Sequence, residues 1–162
     1  MKIIDKELAI QSAIKEVKED PFALKYVSDK LRNNKDVVLE AVRKNGWALE
    51  YVSPKLQNNL DVVWVAITDS GYVLKYASEK LRANEEVVLR AVRRCGCALM
   101  YASADLQNNI GVVLTAVWQD GLALKYASPE LKNNIKVVRV AVEENRRALK
   151  YASKEIALQL KK

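Results

Sequence analysis

The chain contains no histidine and only two cysteines among its 162 residues. A structural zinc site needs four cysteine or histidine ligands, and Cys95 and Cys97 are too close in sequence for an unstrained disulfide. We therefore expect two reduced thiols, no metal and no cofactor. Because the sequence also lacks a nucleophile–base pair and a phosphate-binding glycine loop, it predicts that the protein is not an enzyme.

Long apolar runs and helix-breaking residues are also scarce. No run approaches the roughly 18 apolar residues that a membrane span needs, and the charged residues 1–7 lack the apolar core of a signal peptide. We therefore predict a soluble cytoplasmic protein with no membrane partner. Only three prolines and five glycines occur, and half of the residues are hydrophobic, so the composition favours a single folded domain over residues 1–162.

The net charge of +7 suggests nucleic-acid binding, but the positive charge is not spread along the chain. Residues 135–162 carry eight basic and three acidic side chains, whereas residues 60–84, 85–109 and 110–134 are each neutral. A groove that binds nucleic acid along its length usually needs a continuous basic stripe. RNA or single-stranded DNA is therefore the alternative to a protein partner, and not the first expectation.

What the sequence does contain is a repeat of 25 residues. A leucine stands two residues before each repeated tyrosine and a serine two residues after it; the tyrosines are Tyr26, Tyr51, Tyr76, Tyr101, Tyr126 and Tyr151. A fixed period between about 20 and 50 residues is the signature of a solenoid, in which each repeat packs against its neighbours. The sequence thus predicts an all-α, superhelical solenoid with a capping helix in residues 1–20, tandem repeats in 21–153 and a cap in 154–162.

Residues 34–59 illustrate one repeat, which reads as two helices and a short third turn. Asn34 is a good N-cap for the first helix. The buried face of that helix holds, at helical spacing, Val37, Val38, Ala41, Val42 and Asn45. Gly46 is expected to end the helix in the left-handed conformation that glycine tolerates. A shorter helix follows over residues 47–52, and Ser53 with Pro54 starts the last turn.

Three further expectations concern packing. The helices of adjacent repeats should approach most closely at a column of alanines, where a larger side chain would overpack the seam; these are Ala41, Ala66, Ala91, Ala116 and Ala141. The repeated tyrosines should be packed rings with hydroxyl groups on polar partners. Leu158 and Leu160 should fold back over the last repeat, unless the chain is a fragment of a longer array.

Residues 84–106 carry the repeat pattern in full, from Asn84-Glu-Glu-Val-Val through Gly96 to Tyr101-Ala-Ser103. The pattern resembles the tandem helical repeat family catalogued as a domain of unknown function, number 4116, over residues 20–156. Pro21 and Arg146 depart from it at the glycine position. The resemblance implies the repeat fold and no activity. Family members often sit within larger proteins, some from host-associated bacteria, which implies an interaction module such as part of an effector delivered to a host cytosol.

Variable columns on the first helix of each repeat are the expected place for function, because the other positions maintain the fold. The candidate partner-binding residues are Arg43, Lys44, Arg90, Arg93, Arg94 and Trp118. Arginine and tryptophan dominate interface hot spots, and Trp118 should be exposed because its column otherwise holds arginine, threonine and glutamate. We predict a protein-binding scaffold, monomeric or weakly self-associating through its terminal repeats; the alternatives are a solvated helix face or a nucleic-acid-binding array.

Overall fold

The computed structural model describes the backbone of residues 2–160 and the side chains of residues 5–160. Residue 1 of the predicted N-terminal cap and residues 161 and 162 of the C-terminal cap lie outside the described residues. Within residues 2–160 the chain forms helices and no strand, which confirms the all-α prediction. The α-helices are α1 (Lys2–Glu19), α2 (Asp29–Arg32), α3 (Lys35–Lys44), α4 (Pro54–Gln57), α5 (Leu60–Asp69), α6 (Glu79–Arg82), α7 (Glu85–Arg94), α8 (Ala104–Gln107), α9 (Ile110–Gln119), α10 (Pro129–Lys132), α11 (Ile135–Glu144) and α12 (Lys154–Gln159).

The second helix of each repeat is a 3₁₀ helix. These segments are η1 (Pro21–Lys25), η2 (Gly46–Tyr51), η3 (Gly71–Tyr76), η4 (Gly96–Tyr101), η5 (Gly121–Tyr126) and η6 (Arg146–Tyr151). A repeat is therefore a ten-residue α-helix, a 3₁₀ helix and a short α-helical turn, as in α3, η2 and α4. The predicted order of two helices and a third turn is confirmed.

The chain divides into two compact units, residues 1–78 and residues 79–162, here called the N-terminal and C-terminal units. In the N-terminal unit α1 packs on α3 and α3 on α5, while η1, η2 and η3 pack in the same order. In the C-terminal unit α7, α9 and α11 pack in sequence, as do η4, η5 and η6. Within each unit, consecutive repeats thus stack as the repeats of an α-solenoid do.

The core of each unit is apolar and repeats with the sequence. In α9, for example, Val112, Val113, Ala116 and Val117 are fully buried, and the same four positions are buried in α3, α5 and α7. The leucine two residues before each tyrosine is also fully buried from Leu24 to Leu124. Among residues 5–160 no polar or charged residue is buried, so hydrophobic burial between stacked repeats is the main stabilising interaction.

In the repeat of residues 34–59, asparagine side chains start two of the helices. Asn34 Oδ1 accepts from the backbone nitrogens of Asp36 and Val37, at 3.0 and 3.2 Å, so the predicted N-cap is confirmed. The placement of Asn45 on the buried face is wrong. Because α3 ends at Lys44, Asn45 has extended backbone angles and caps η2 instead, accepting from the nitrogen of Trp47 at 2.9 Å.

The glycine of each repeat is required by packing and not by its backbone angles. No glycine among the described residues has a positive φ, so the predicted left-handed conformation of Gly46 is wrong. A Cβ at Gly46 would instead lie 2.3 Å from the carbonyl oxygen of Ala66 in the next repeat. At Gly96 the same atom would lie 2.3 Å from the oxygen of Ala116. The alanine column is thus a site of close approach between repeats, as the sequence predicts.

The repeated serine links one repeat to the preceding one. The backbone nitrogen of Ser53 donates to the carbonyl oxygen of Arg32 at 3.1 Å, and Ser53 Oγ donates to Asn33 Oδ1 at 2.8 Å. The same Oγ accepts from the nitrogen of Leu56 at 3.4 Å, which confirms the predicted N-cap. A single hydroxyl group therefore both starts α4 and ties it to the repeat before.

At the C-terminal end the predicted fold-back of Leu158 is wrong, because Leu158 is 66% exposed. Residues 154–159 continue as α12, and Ile156 is the residue of that helix that is buried. Successive helical residues are about 100° apart, so a side chain two positions after Ile156 points away from the core. Leu160, which follows α12, is partly buried.

Candidate partner-binding groove

The side of each ten-residue helix that does not face the core carries the variable positions. In the C-terminal unit this side forms a groove of about 500 Å³, within the range of about 300–1,000 Å³ that is usual for ligand pockets. Helices α7, α9 and α11 contribute to its wall, which consists of Arg93, Leu114, Thr115, Trp118, Gln119 and Val140. We call it the Trp118 groove.

Apolar side chains form most of the Trp118 groove. Helix α9, Ile110–Gln119, contains no charged residue. Leu114 and Val140 are half-buried, while Trp118 is 69% exposed, which confirms its predicted exposure. A tryptophan held on a ten-residue helix above apolar neighbours provides a large surface that water solvates poorly.

Arg93 is the one charged residue in the wall of the Trp118 groove. It is exposed, and among the described side chains none forms a salt bridge with it. The reason lies in the helix sequence, because the residue three positions before Arg93 is Arg90 and not an acid. The guanidinium of Arg93 therefore has no acidic neighbour at the place where Arg43, its counterpart in α3, has one.

On the equivalent face of the N-terminal unit, charged side chains form ion pairs with one another. Glu40 accepts from Arg43 Nη1 at 2.9 Å and lies 3.5 Å from Lys18 Nζ. The Lys44 ammonium donates to the carbonyl oxygens of Lys18 and Glu19, to the latter at 2.9 Å. The groove that remains there measures about 280 Å³ and is lined by Gln11, Ile14, Lys18, Asp36, Leu39, Glu40 and Arg43. The charges of Lys18, Glu40 and Arg43 in its wall are thus paired within the unit.

Of the six predicted site residues, Arg93 and Trp118 line the same groove. Arg90 and Arg94 belong to the same helix but do not line it, and both take part in other interactions. Arg43 and Lys44 belong to the N-terminal unit, where they bind neighbouring groups. Sequence reasoning did not single out the apolar lining residues Leu114 and Val140; the absence of charge in α9 was the signal that could have identified them.

Gln119 and Asp69, which occupy equivalent positions on α9 and α5, each have a structural role. The Gln119 side-chain oxygen accepts a hydrogen bond from the backbone nitrogen of Gly96 in the preceding repeat. In the N-terminal unit, Asp69 Oδ2 accepts in the same way from the nitrogen of Gly46, at 3.0 Å. Gln119 is therefore fixed at its place in the groove wall by the repeat before it.

Aromatic residues of the N-terminal unit pack in pairs between repeats. The rings of Phe22 and Tyr51 meet edge to face at 6.3 Å, and those of Trp47 and Tyr76 at 6.2 Å. Lys75 Nζ lies 4.4 Å from the centre of the Tyr76 ring. Burial raises the pKa of Tyr76 and a hydrogen bond with Glu50 raises it further, while the Lys75 ammonium acts in the opposite direction. In this unit the residues that begin the 3₁₀ helices are thus packing residues.

The described side chains offer no other chemical centre of the usual kinds. Cys95 and Cys97 form no disulfide and are half-buried, and the Cys97 thiol donates to Asp120 Oδ2 at 3.0 Å. Among the residues that the structure describes, no group of three or more histidine, cysteine, aspartate or glutamate residues is placed to hold a metal ion. No helix in residues 2–160 combines the length and the apolar character of a membrane span.

Stacked helical repeats with a surface groove define a tandem α-helical repeat protein. The family model described as a domain of unknown function, DUF4116, matches five times in tandem, at residues 5–57, 34–82, 59–107, 84–117 and 109–157. The chain belongs to this family, as the resemblance of the repeat pattern implies. No curated protein and no solved structure matches the chain.

Proposed function

We propose that the protein is a non-enzymatic scaffold that binds a protein partner in the Trp118 groove. The observation that carries the proposal is the difference between the two equivalent faces. The N-terminal unit pairs Lys18 and Arg43 with Glu40 there, whereas the C-terminal unit exposes Trp118 above apolar residues. An exposed tryptophan beside an arginine has the composition of an interface hot spot. Because Cys95 and Cys97 form no disulfide, we place the scaffold in a cytosol, that of the producing cell or of a host that receives it as part of a larger effector.

A nucleic-acid-binding array is the second candidate, because Trp118 and Arg93 could also take up a base and a phosphate. Base stacking on an aromatic side chain and contacts with basic residues are the common elements of single-strand binding. Against it, the wall of the Trp118 groove has a single basic residue, and nucleic-acid grooves need several along the backbone.

Selection from a random peptide display library against the intact protein tests the protein-binding proposal. Peptides that bind the wild-type protein are expected to lose binding to Trp118→Ala and to Arg93→Glu in isothermal titration calorimetry. Both residues are exposed, so the melting temperature should stay unchanged. Leu158→Ala and Arg147→Glu are matched controls, because they change exposed residues of the same unit outside the groove. Full binding of the selected peptides by Trp118→Ala would remove the groove as the binding site.

Fluorescence anisotropy with labelled random-sequence RNA and single-stranded DNA, at two salt concentrations, tests the second candidate. Tight binding that weakens steeply with salt would favour nucleic acid, because the slope counts released counterions. Absence of binding at low salt would eliminate this candidate.

A further inference from the structure

We infer that the Trp118 groove accepts an acidic peptide segment in which a large apolar side chain stands next to an aspartate or glutamate. The inference rests on the proposed function and adds the chemistry of the occupant. Two observations carry it: most of the groove wall is apolar, and the one charged residue in that wall, Arg93, has no salt-bridge partner among the described side chains.

The apolar wall of the groove favours a large apolar peptide side chain, here called the anchor. Leu114 and Val140 come from two different helices, and the exposed Trp118 stands beside them, so an anchor between them would contact apolar groups on several sides. Helix α9 provides no charge that would oppose an apolar side chain. Interface anchors of this type are commonly large aliphatic or aromatic residues, which gain most from leaving water.

The positive charge of Arg93 favours an acidic residue next to the anchor in the bound peptide. Arg93 has no salt-bridge partner among the described side chains, and Arg90, one turn before it on the same face of α7, is also basic. The acidic residues of α7, Glu85 and Glu86, stand in its first turn and do not line the groove, and neither do Glu143 and Glu144 of α11. A carboxylate beside the anchor can form two parallel hydrogen bonds with the guanidinium, whereas a lysine there would meet like charge.

The N-terminal unit provides an internal example of this pairing. Glu40 occupies on α3 the position that Arg90 has on α7, and there it accepts from Arg43 at 2.9 Å. Arg43 stands in the same column as Arg93. The proposed partner therefore supplies in the C-terminal unit the carboxylate that Glu40 supplies in the N-terminal unit.

Three peptide sub-libraries test the inference. Each has a central phenylalanine or leucine within random positions, and the residues next to the anchor are acidic in the first, basic in the second and neutral in the third. Binding to the intact protein is measured by fluorescence anisotropy. We expect Trp118-dependent binders mainly in the acidic sub-library. Their affinity should fall at least about tenfold in Arg93→Glu, equivalent to about 1.4 kcal/mol, and less in Arg93→Lys, which keeps the charge but not the planar fork.

The strongest result would be a reversal of preference, in which Arg93→Glu binds peptides of the basic sub-library better than those of the acidic one. Trp118-dependent binders at equal frequency in all three sub-libraries would overturn this inference and leave the proposed function standing. Absence of Trp118-dependent binders in every sub-library would overturn both. Displacement of acidic peptides by random-sequence RNA at low salt, with RNA binding the tighter of the two, would also contradict the inference, because a nucleic acid would then be the better occupant.

Discussion

Gly121 lies against the carbonyl group of Ala141 in the next repeat so closely that a Cβ at position 121 would stand 2.2 Å from that oxygen and 2.9 Å from the nitrogen of Asn145. No real Cβ approaches a backbone oxygen to this distance, so the neighbouring helix would have to move. The glycine and alanine columns are therefore two sides of one seam. The seam holds η5 against α11 in the C-terminal unit, where Trp118 of α9 and Val140 of α11 line the same groove.

Gly121→Ala is expected to lower the free energy of unfolding by about 1–3 kcal/mol, the usual cost of overpacking, or by more. Urea unfolding followed by circular dichroism measures this change. Gly111→Ala is the matched control, because its Cβ would meet only Asn109 Oδ1, at 3.4 Å. Since Gly111 is within α9, that variant should be more stable than the wild type by about 0.4–1 kcal/mol. Equal stability of the two variants would show that the seam tolerates a Cβ.

The sequence predicts the repeats well, because each repeat packs on its neighbours in the same way and therefore needs the same residue types every 25 residues. The sequence could assign the N-caps Asn34 and Ser53, because these residue types before a helix usually cap it. It could also assign the alanine column, because a repeated small residue on a buried helix face usually marks a close contact between helices. It could not assign Gly46, because a glycine after a helix indicates both a left-handed turn and a close contact, and only the neighbouring repeat decides between them. Asn45 was misplaced for a related reason: helical spacing continues through a residue that in fact starts the next helix.

The functional groove is less visible in the sequence than the fold. Trp118 and Arg93 stand out because their types are unusual for a solvated helix face. Leu114 stands in a column with Leu39, so its composition indicates packing and nothing more. Whether such a leucine is covered depends on side chains of neighbouring helices. In the N-terminal unit, ion pairs lie beside the equivalent leucine, Leu39; they join Glu40 to Arg43 and to Lys18. The repeat spacing alone does not predict these ion pairs.

The repeated serine donates to an asparagine 20 residues before it in several repeats, but Ala83 interrupts this series. Restoring the missing hydrogen bond should stabilise the protein. Ser128 Oγ donates to Asn108 Oδ1 at 2.6 Å and Ser153 Oγ to Asn133 Oδ1 at 2.5 Å, but Ser103 faces an alanine at the equivalent position. A cavity of about 350 Å³ at Ala83 and Ser103 leaves room for the amide. Ala83→Asn should raise the free energy of unfolding by about 0.5–1.5 kcal/mol, the usual net value of one hydrogen bond.

A double-mutant cycle isolates that hydrogen bond. Stability is measured by urea unfolding for Ala83→Asn, for Ser103→Ala and for the two changes together. If the new amide binds Ser103 Oγ, the gain from Ala83→Asn should disappear in the Ser103→Ala background. Ser128→Ala removes both the hydrogen bond to Asn108 Oδ1 and the cap on the Leu131 nitrogen, so it should cost more than one such bond. A gain from Ala83→Asn that persists without the Ser103 hydroxyl would assign it to another cause.

Tyr76 should make the stability of the protein fall with rising pH in alkaline solution. Its pKa is raised above the ordinary 10.0 by burial and by Glu50. Above about pH 10 the folded chain therefore holds a proton that the unfolded chain has lost, and stability decreases as pH rises. This contribution is complete below the pKa of the unfolded chain and is lost as pH rises through the pKa of the folded protein. Urea unfolding at pH 8 and at pH 10.5 should show a smaller loss for Tyr76→Phe than for the wild type.

Tyr26→Phe is the control for that experiment. Tyr26 is 81% exposed, so Tyr26→Phe shows what the loss of a solvent-exposed phenol group alone does to the measurement. Absorbance of tyrosinate near 295 nm provides an independent measurement on the folded protein. The titration of the wild type minus that of Tyr76→Phe should show a tyrosine that ionises above pH 10. A difference centred at or below pH 10 would contradict the raised pKa.

Trp118 should account for most of the collisional quenching of tryptophan fluorescence, because it is 69% exposed while Trp47 and Trp64 are half-buried. Iodide is expected to quench more strongly than caesium, since the unpaired Arg93 in the same groove attracts anions. Trp118→Phe should remove most of the quenching by either ion. Arg93→Gln should lower quenching by iodide while leaving quenching by neutral acrylamide unchanged, and Arg147→Gln, a basic residue outside the groove, should alter neither. Equal iodide quenching in Arg93→Gln and in the wild type would mean that the charge of Arg93 does not reach the groove, and the preference for an acidic partner would lose its basis.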